Sequence, residues 1–127
     1  PYTGMPAKSE TRLAGSGNGG VLKRTTTTPA CNIPQTGVAC TVAPDKTYFP
    51  FVASQLDEAW ELNGSAYPSS TSTVSYTAFP HYGGPTQTSI SSTEGWSKTT
   101  ANEYLAPDTS NWIVGRLKQS TVTSVKP

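Results

Sequence analysis

The chain has 127 residues, of which 34% are hydrophobic and 13% are charged, and its net charge at neutral pH is +1. Charged residues are about half as frequent as in an average soluble domain, which disfavours a typical cytosolic enzyme and also a highly charged disordered tail. No apolar run long enough to span a membrane occurs, so the sequence predicts no transmembrane helix. The length fits one domain, and serine and threonine exceed a quarter of the residues, which favours β and extended structure around a small core.

The small net charge conceals basic ends around an acidic middle. Residues 1–44 carry four basic side chains and one acidic one, residues 45–108 carry seven acidic and two basic ones, and residues 109–127 carry three basic ones. We expect the basic N-terminal segment to dock on the acidic part of a neighbouring subunit, because complementary charge guides register. So few cations predict no direct nucleic-acid role, since that affinity rests on many phosphate contacts.

Residues 1–29 are predicted to form an extended, Gly- and Thr-rich basic arm. Such a segment is flexible unless another surface orders it. Residues 15–20 match the dinucleotide fingerprint G-x-G-x-x-G, but the preceding residues are too polar for a buried strand and the following ones form a poor helix. We therefore predict no cofactor, and we expect the arm to contact neighbouring subunits through its basic side chains. These side chains are Lys8, Arg12, Lys23 and Arg24.

Residues 30–127 are predicted to form a compact β-rich domain with a short C-terminal tail. Eleven prolines limit the length of every element, because proline lacks a backbone donor. Strands are predicted at residues 39–42, 47–52, 74–78, 86–92, 111–118 and 120–125. Short helices are predicted at residues 55–62, between a Ser54 cap and an Asn63-Gly64 stop, and at residues 100–106, from the capping-box spacing of Thr100 and Glu103. The predicted fold class is mainly β: a small β-sandwich or barrel-like body with one or two short helices and the extended N-terminal arm.

Cys31 and Cys40 are the two cysteines, and we predict a disulfide between them. The bond would close a short loop and restrain the unfolded chain by about 2–3 kcal/mol. The alternative is a pair of buried free thiols, which behave as small hydrophobic side chains. Two cysteines and one histidine supply too few ligands for a structural zinc site, so no metal is predicted.

No catalytic residue is predicted. His81, the one histidine, lies among aromatic residues without a G-x-S-x-G elbow, which favours a packing role over a nucleophilic site. The acidic residues Asp57, Glu58 and Glu61 resemble a glycosidase pair only by composition, and their spacing on the predicted helix favours a solvated face.

Large aromatic residues are the remaining candidates for function. We assign Trp60, Trp96, Trp112 and Tyr76 to the core or to a subunit interface, where aromatic rings are strong anchors. The alternative is a secreted or surface carbohydrate-binding or adhesion module that stacks exposed Trp and Tyr rings on a glycan.

In general character the chain resembles small bacteriophage virion proteins: an extended arm, a β-rich body, abundant Ser and Thr and no catalytic motif. The resemblance implies a non-enzymatic structural subunit of a symmetric virion, such as a capsid cement, decoration or head–tail component. Its partners would be copies of itself or other subunits, with no membrane contact, and its location the virion. The carbohydrate-binding alternative implies an extracellular or cell-surface location.

Overall fold

The structure is a computed structural model that describes residues 4–14, 20–32, 48–76 and 84–127. These residues form one open antiparallel sheet of seven strands, in which each strand pairs with the next one along the chain. The strands are β1 (Lys8–Arg12), β2 (Val21–Asn32), β3 (Phe49–Ala59), β4 (Ser70–Ser75), β5 (Gln87–Ser92), β6 (Ser97–Tyr104) and β7 (Leu117–Val125).

The connections differ between the two ends of the sheet. At one end, which we call the turn end, residues 13–20, 60–69 and 93–96 connect the strands, and Gly64 and Gly95 adopt φ values of 90° and 91° there. Glycine suits such positions because it has no Cβ to clash at positive φ. At the other end, which we call the loop end, residues 33–48, 76–86 and 105–116 connect the strands.

Serine and threonine line both faces of the sheet, and this explains why so little is buried. Thr73, Ser89, Thr99 and Thr123 are direct cross-strand neighbours in β4 to β7, and the hydroxyl oxygens of Thr73 and Ser89 lie 2.6 Å apart. Among the described residues, only Cys31 is a buried hydrophobic residue, at 3% exposure. The described residues therefore form a single layer, whereas most sheets pack at least one face against a second layer.

Both predicted helices are wrong. Residues 55–59 lie in β3, where all of them pair with β2 and residues 55–57 also pair with β4. Residues 100–104 lie in β6, where all of them pair with β7 and residues 100–101 also pair with β5. The reason is that a spacing of four residues, as between Leu56 and Trp60, puts two side chains on one face of a helix and also on one face of a strand. Pairing on both sides outweighs the local capping signals, since propensity is a weak prior.

The mainly β class is confirmed, and besides the helices two further features of the predicted fold are not. The described residues show one open sheet rather than a sandwich or barrel. Residues 8–12 and 21–29 lie in β1 and β2, so the extended arm is not confirmed, and the expected boundary between residues 29 and 30 falls inside β2.

The strand predictions have mixed outcomes. Strands over 86–92 and 120–125 are confirmed by β5 and β7, and residues 49–52 begin β3. The strand over 111–118 is wrong, because Asp108 and Ile113 close a tight turn there by pairing with each other. The strand over 39–42 lies outside the described residues.

Candidate functional site

Antiparallel register brings three charged residues into one row across the first three strands. Glu10 on β1 is the direct partner of Arg24 on β2, and Arg24 is the direct partner of Glu58 on β3. Direct partners lie on the same face of a sheet, and so do Lys8 and Arg12, two residues before and after Glu10. We call these five residues the Glu10 cluster. It contains three of the four basic side chains that the sequence singled out, and the fourth, Lys23, alternates to the other face.

Glu10 is the centre of this cluster. Its carboxylate accepts hydrogen bonds from Lys8 Nζ at 2.8 Å, from Arg12 Nη2 at 2.6 Å and from Arg24 Nε at 2.8 Å. Arg24 Nη1 also lies 3.6 Å from Glu58 Oε2. Hydrogen bonds from Lys8, Arg12 and Arg24 lower the pKa of Glu10 to about 2. Glu10 is therefore an ionised acceptor at neutral pH and is unsuited to act as a general acid, whose pKa should lie near the working pH.

A groove adjoins the cluster at the turn end of the sheet. The Arg24 guanidinium carbon lies 5.2 Å from the centroid of the Trp60 ring, a cation–π distance. Leu13 and Leu22 on the β1–β2 side and Leu62 on the β3–β4 turn line the groove with Trp60, and its volume is about 500 Å³. Leu13 and Leu62 are 46% and 78% exposed, so the groove presents apolar side chains beside an ion-pair network of three cations and two carboxylates.

The acidic residues of β3 do not form a catalytic pair. Asp57 and Glu58 are consecutive in a strand, so their side chains lie on opposite faces. Asp57 accepts a hydrogen bond from Thr25 Oγ1 at 2.6 Å and another from Gln55 Nε2 at 2.7 Å, and these bonds lower its pKa. Asp57 thus links β2 to β3 as an ionised acceptor. The predicted solvated helix face does not exist, because this segment is a strand.

The four aromatic residues that the sequence singled out occupy separate places. Trp60 and Trp96 lie at the turn end, and both are half-buried. Tyr76 lies at the loop end, where burial raises the pKa of its phenol. Trp112, also at the loop end, is 74% exposed and has a φ of 56°. Since Trp112 is mostly exposed, the described residues assign it to no core.

Sequence reasoning missed the partners of Tyr76. The Tyr76 ring centroid lies 5.2 Å from that of Phe49 and 4.5 Å from that of Phe51, with both pairs edge to face. This geometry is favourable for aromatic pairs. The alternation of Phe49 and Phe51 around Pro50 was the available signal, since such spacing puts both rings on one face of a strand.

The predicted disulfide concerns the end of β2 nearest to this aromatic group. Cys31 is disulfide-bonded, which excludes a free thiol at that position. Cys40 and His81 lie outside the described residues, so the pairing of Cys31 with Cys40 and the packing role of His81 stay predictions.

The glycine-rich segment that matches the dinucleotide fingerprint connects two antiparallel strands. Leu13 N–H donates to the carbonyl of Gly20 at 2.7 Å, and this bond joins the ends of β1 and β2. A dinucleotide site needs a strand followed by a helix, whose N-terminus binds the phosphates. The topology around this segment is therefore that of a hairpin.

Comparisons with known proteins give no functional information. The chain matches no protein-family model, and no curated protein or solved structure is significantly similar to it. Within the described ranges, no helix is long and apolar enough to cross a membrane, and no group of three or more His, Cys, Asp or Glu side chains is arranged to hold a metal ion.

Proposed function

We propose that this chain is a non-enzymatic structural subunit of a symmetric assembly, in which neighbouring protein covers and extends its sheet. The observation that carries the proposal is the single-layer sheet, whose described part buries one hydrophobic residue, Cys31. A sheet is stable in water when at least one face packs against another layer. A neighbouring subunit is a direct source of that layer.

The exposed area supports the same conclusion. The chain exposes 8315 Å², whereas a compact monomer of 13.4 kDa exposes about 6,500 Å². The excess of about 1,800 Å² is roughly twice the area that each partner buries in a standard protein–protein interface, about 800 Å². About two interfaces of ordinary size would therefore bring the exposed area of this chain into the normal range.

The ionised acids support a structural role over a catalytic one. Glu10 and Asp57 both act as hydrogen-bond acceptors that fix neighbouring strands, and neither pKa is poised for proton transfer. A bacteriophage virion, with this chain as a cement, decoration or head–tail component, is the setting that the sequence character suggests. The docking of Lys8, Arg12, Lys23 and Arg24 on an acidic neighbour stays part of this proposal.

The experiment is to purify the chain from the cell or particle that naturally produces it, without denaturant, and to measure its mass by sedimentation. We expect it to sediment in a particle many times heavier than 13.4 kDa, with regular symmetry in electron micrographs. As a control, the recombinant chain alone should bind an apolar dye, which reports an uncovered sheet. A lone monomer that binds no dye would overturn the proposal.

A carbohydrate-binding module is the second candidate, and the exposure of Trp112 favours it. Tyr67 is the other aromatic residue of the described part with a largely exposed ring, at 52%. Tyr67 follows the β3–β4 turn whereas Trp112 lies between β6 and β7, so the two rings are at opposite ends of the sheet and do not form one platform. Saturable binding to a glycan array that Trp112→Ala abolishes would favour this second function.

A further inference from the structure

The two edges of the sheet differ in how well they resist pairing with another strand. An edge strand exposes unpaired backbone groups and so can accept a strand from another protein. Short length, charged side chains, bulges and nearby proline are the usual features that block such pairing.

The β1 edge carries all four of these features. The strand has five residues, Lys8–Arg12, and Pro6 lies two residues before it. Its register with β2 is interrupted between Thr11 and Arg12. Lys8, Glu10 and Arg12 are bound in the Glu10 cluster, so an added strand would have to accommodate these charges.

The β7 edge is long and weakly protected. The strand has nine residues, Leu117–Val125, and all nine are exposed. It contains no proline and one charged residue, Lys118, whose Nζ lies 2.5 Å from Glu103 Oε1 on β6. The register between β7 and β6 has one irregularity, which lies opposite Glu103 and Tyr104 near the beginning of β7. Residues 119–125 are therefore in regular register.

The direction of the backbone groups of β7 follows from its neighbours. Asn102 N–H donates to the Thr86 carbonyl, towards β5, at 2.8 Å. Backbone groups alternate in direction along an antiparallel strand, so Ala101 and Glu103 direct theirs towards β7. Their partners Thr121 and Gln119 then direct theirs towards β6. The residues between and beyond those partners, Ser120, Val122 and Ser124, direct their N–H and C=O groups outward.

We propose that β7 is the edge where a partner protein adds an antiparallel strand, and that this strand carries carboxylates near both ends. The proposal rests on the proposed function and names the partner at this edge. Arg116 and Lys126 lie just outside the two ends of β7. A second copy paired antiparallel about Thr121 would bring Arg116 of each chain close to Lys126 of the other, and like charges so close together are destabilising. Charge complementarity therefore favours an acidic strand over a second copy.

The probe for this edge is an eleven-residue peptide of alternating threonine and valine with a glutamate at each end. The amides on one of its edges are N-methylated, which prevents the peptide from stacking on itself. With its centre opposite Thr121, its glutamates lie close to Arg116 and Lys126. We expect the peptide to slow hydrogen exchange of the Ser120, Val122 and Ser124 amides by about tenfold or more.

A second peptide with lysine in place of both glutamates tests the charge requirement. We expect it to bind about fivefold or more weakly at low salt, and we expect the difference to shrink at high salt as screening increases. Equal binding of the two peptides at low salt would overturn the carboxylate part of the proposal.

Proline substitutions provide matched variants of the protein. Val122→Pro removes one outward N–H and leaves the bonds to β6 intact, so the sheet should keep its circular dichroism spectrum while peptide binding is lost. Thr121→Pro removes an N–H that faces β6 and should disrupt the pairing of β6 with β7 instead. Undiminished peptide binding by a folded Val122→Pro variant would contradict the assignment.

Other outcomes also separate this proposal from the function on which it rests. Protection of β1 amides instead of β7 amides would overturn the choice of edge. Self-association of the chain without peptide, if Val122→Pro abolishes it, would make a second copy the occupant and overturn the acidic partner. A native particle that incorporates Val122→Pro as well as the original chain would overturn the proposal and leave the structural function standing.

Discussion

The first three strands and the last three strands of this sheet are stabilised in different ways. In β1 to β3, side chains connect the strands: the Glu10 cluster joins all three, and Thr25 donates to Asp57 between β2 and β3. In β5 to β7, Ser and Thr dominate both faces of the sheet. The side chains of the Lys118–Glu103 ion pair are both more than half exposed. Ion pairs and bonds to carboxylates therefore join the strands of the first half, whereas in the second half the side-chain bonds are exposed ones, such as Ser120 Oγ to Asn102 Oδ1 at 2.9 Å.

The largest effect of a single substitution should come from the aromatic group beside β3. Phe51→Ala removes a ring whose centroid lies 4.5 Å from that of Tyr76 and 5.9 Å from that of Phe49. Because Phe51 is half-buried, we expect a loss of about 2 kcal/mol in the free energy of unfolding, below the 3–5 kcal/mol typical of a fully buried phenylalanine. Urea denaturation of the recombinant chain measures it.

Val122→Ala on β7 is the matched control for the aromatic substitution. Val122 is 55% exposed, so its truncation should change the free energy of unfolding by less than about 0.5 kcal/mol. Similar losses from the two substitutions would show that side-chain packing is distributed evenly over the sheet and would contradict the difference between its two halves.

A smaller effect is expected where the loop before β5 meets β6. A Cβ on Gly84 would lie 2.5 Å from Tyr104 Oη, so Gly84→Ala must displace the ring. Tyr104 Oη donates to the Pro85 carbonyl at 3.0 Å, and loss of this bond should cost about 1 kcal/mol. Thermal denaturation should show the lower stability.

Tyr104→Ala identifies the cause of that loss. In its background Gly84→Ala should have little further effect on the melting temperature, because the displaced ring is already absent. An undiminished effect of Gly84→Ala in the double variant would place its cause in the backbone of the loop rather than at Tyr104.

The smallest effect concerns how the melting temperature depends on pH, which should differ between carboxylate variants of the first three and the last three strands. The folded-state pKa of Glu10 is about 2, lower than the usual value of 4.5 that applies in the unfolded chain. Glu10 therefore stabilises the folded state fully above pH 4.5 and loses this contribution as the pH falls towards 2. In Glu10→Gln, the melting temperature should fall less steeply between pH 5 and 2 than in the original chain.

Glu103→Gln is the control for this measurement. Glu103 forms an exposed pair with Lys118, and exposed pairs contribute about 0–1 kcal/mol. Because solvent and salt screen an exposed pair, the acid slope of this variant should lie closer to that of the original chain than the slope of Glu10→Gln does. A flatter acid slope in Glu103→Gln than in Glu10→Gln would show that ionised carboxylates stabilise the last three strands more than the first three.

Several elements of the fold were accessible from the sequence because their signals are local. β-branched and hydroxyl side chains between turn residues predicted the strands at 86–92 and 120–125 correctly. The Asn63-Gly64 stop lies in a turn, as expected, although a strand rather than a helix precedes it. The helix over 55–62 was wrong because its residues fit both periods, and a segment that short contains nothing to distinguish them.

The candidate site was only partly accessible for the same reason. The sequence singled out Lys8, Arg12, Arg24 and Trp60 by charge and residue type, but it assigned the basic residues to an arm directed at another subunit. It did not connect Glu10 and Glu58 with Arg24. Fourteen positions separate Glu10 from Arg24, and only the pairing of β1 with β2 makes them neighbours.

The sequence by itself determined that this chain is mainly β, rich in turns and poor in apolar residues, because composition and local propensity act within a few residues. The tertiary structure alone decided that the described strands form one open layer with the Glu10 cluster on one face and an exposed β7 edge. Those features depend on register between strands that are distant in sequence. Register is set by the summed energy of many backbone bonds and cross-strand contacts, which no short segment contains.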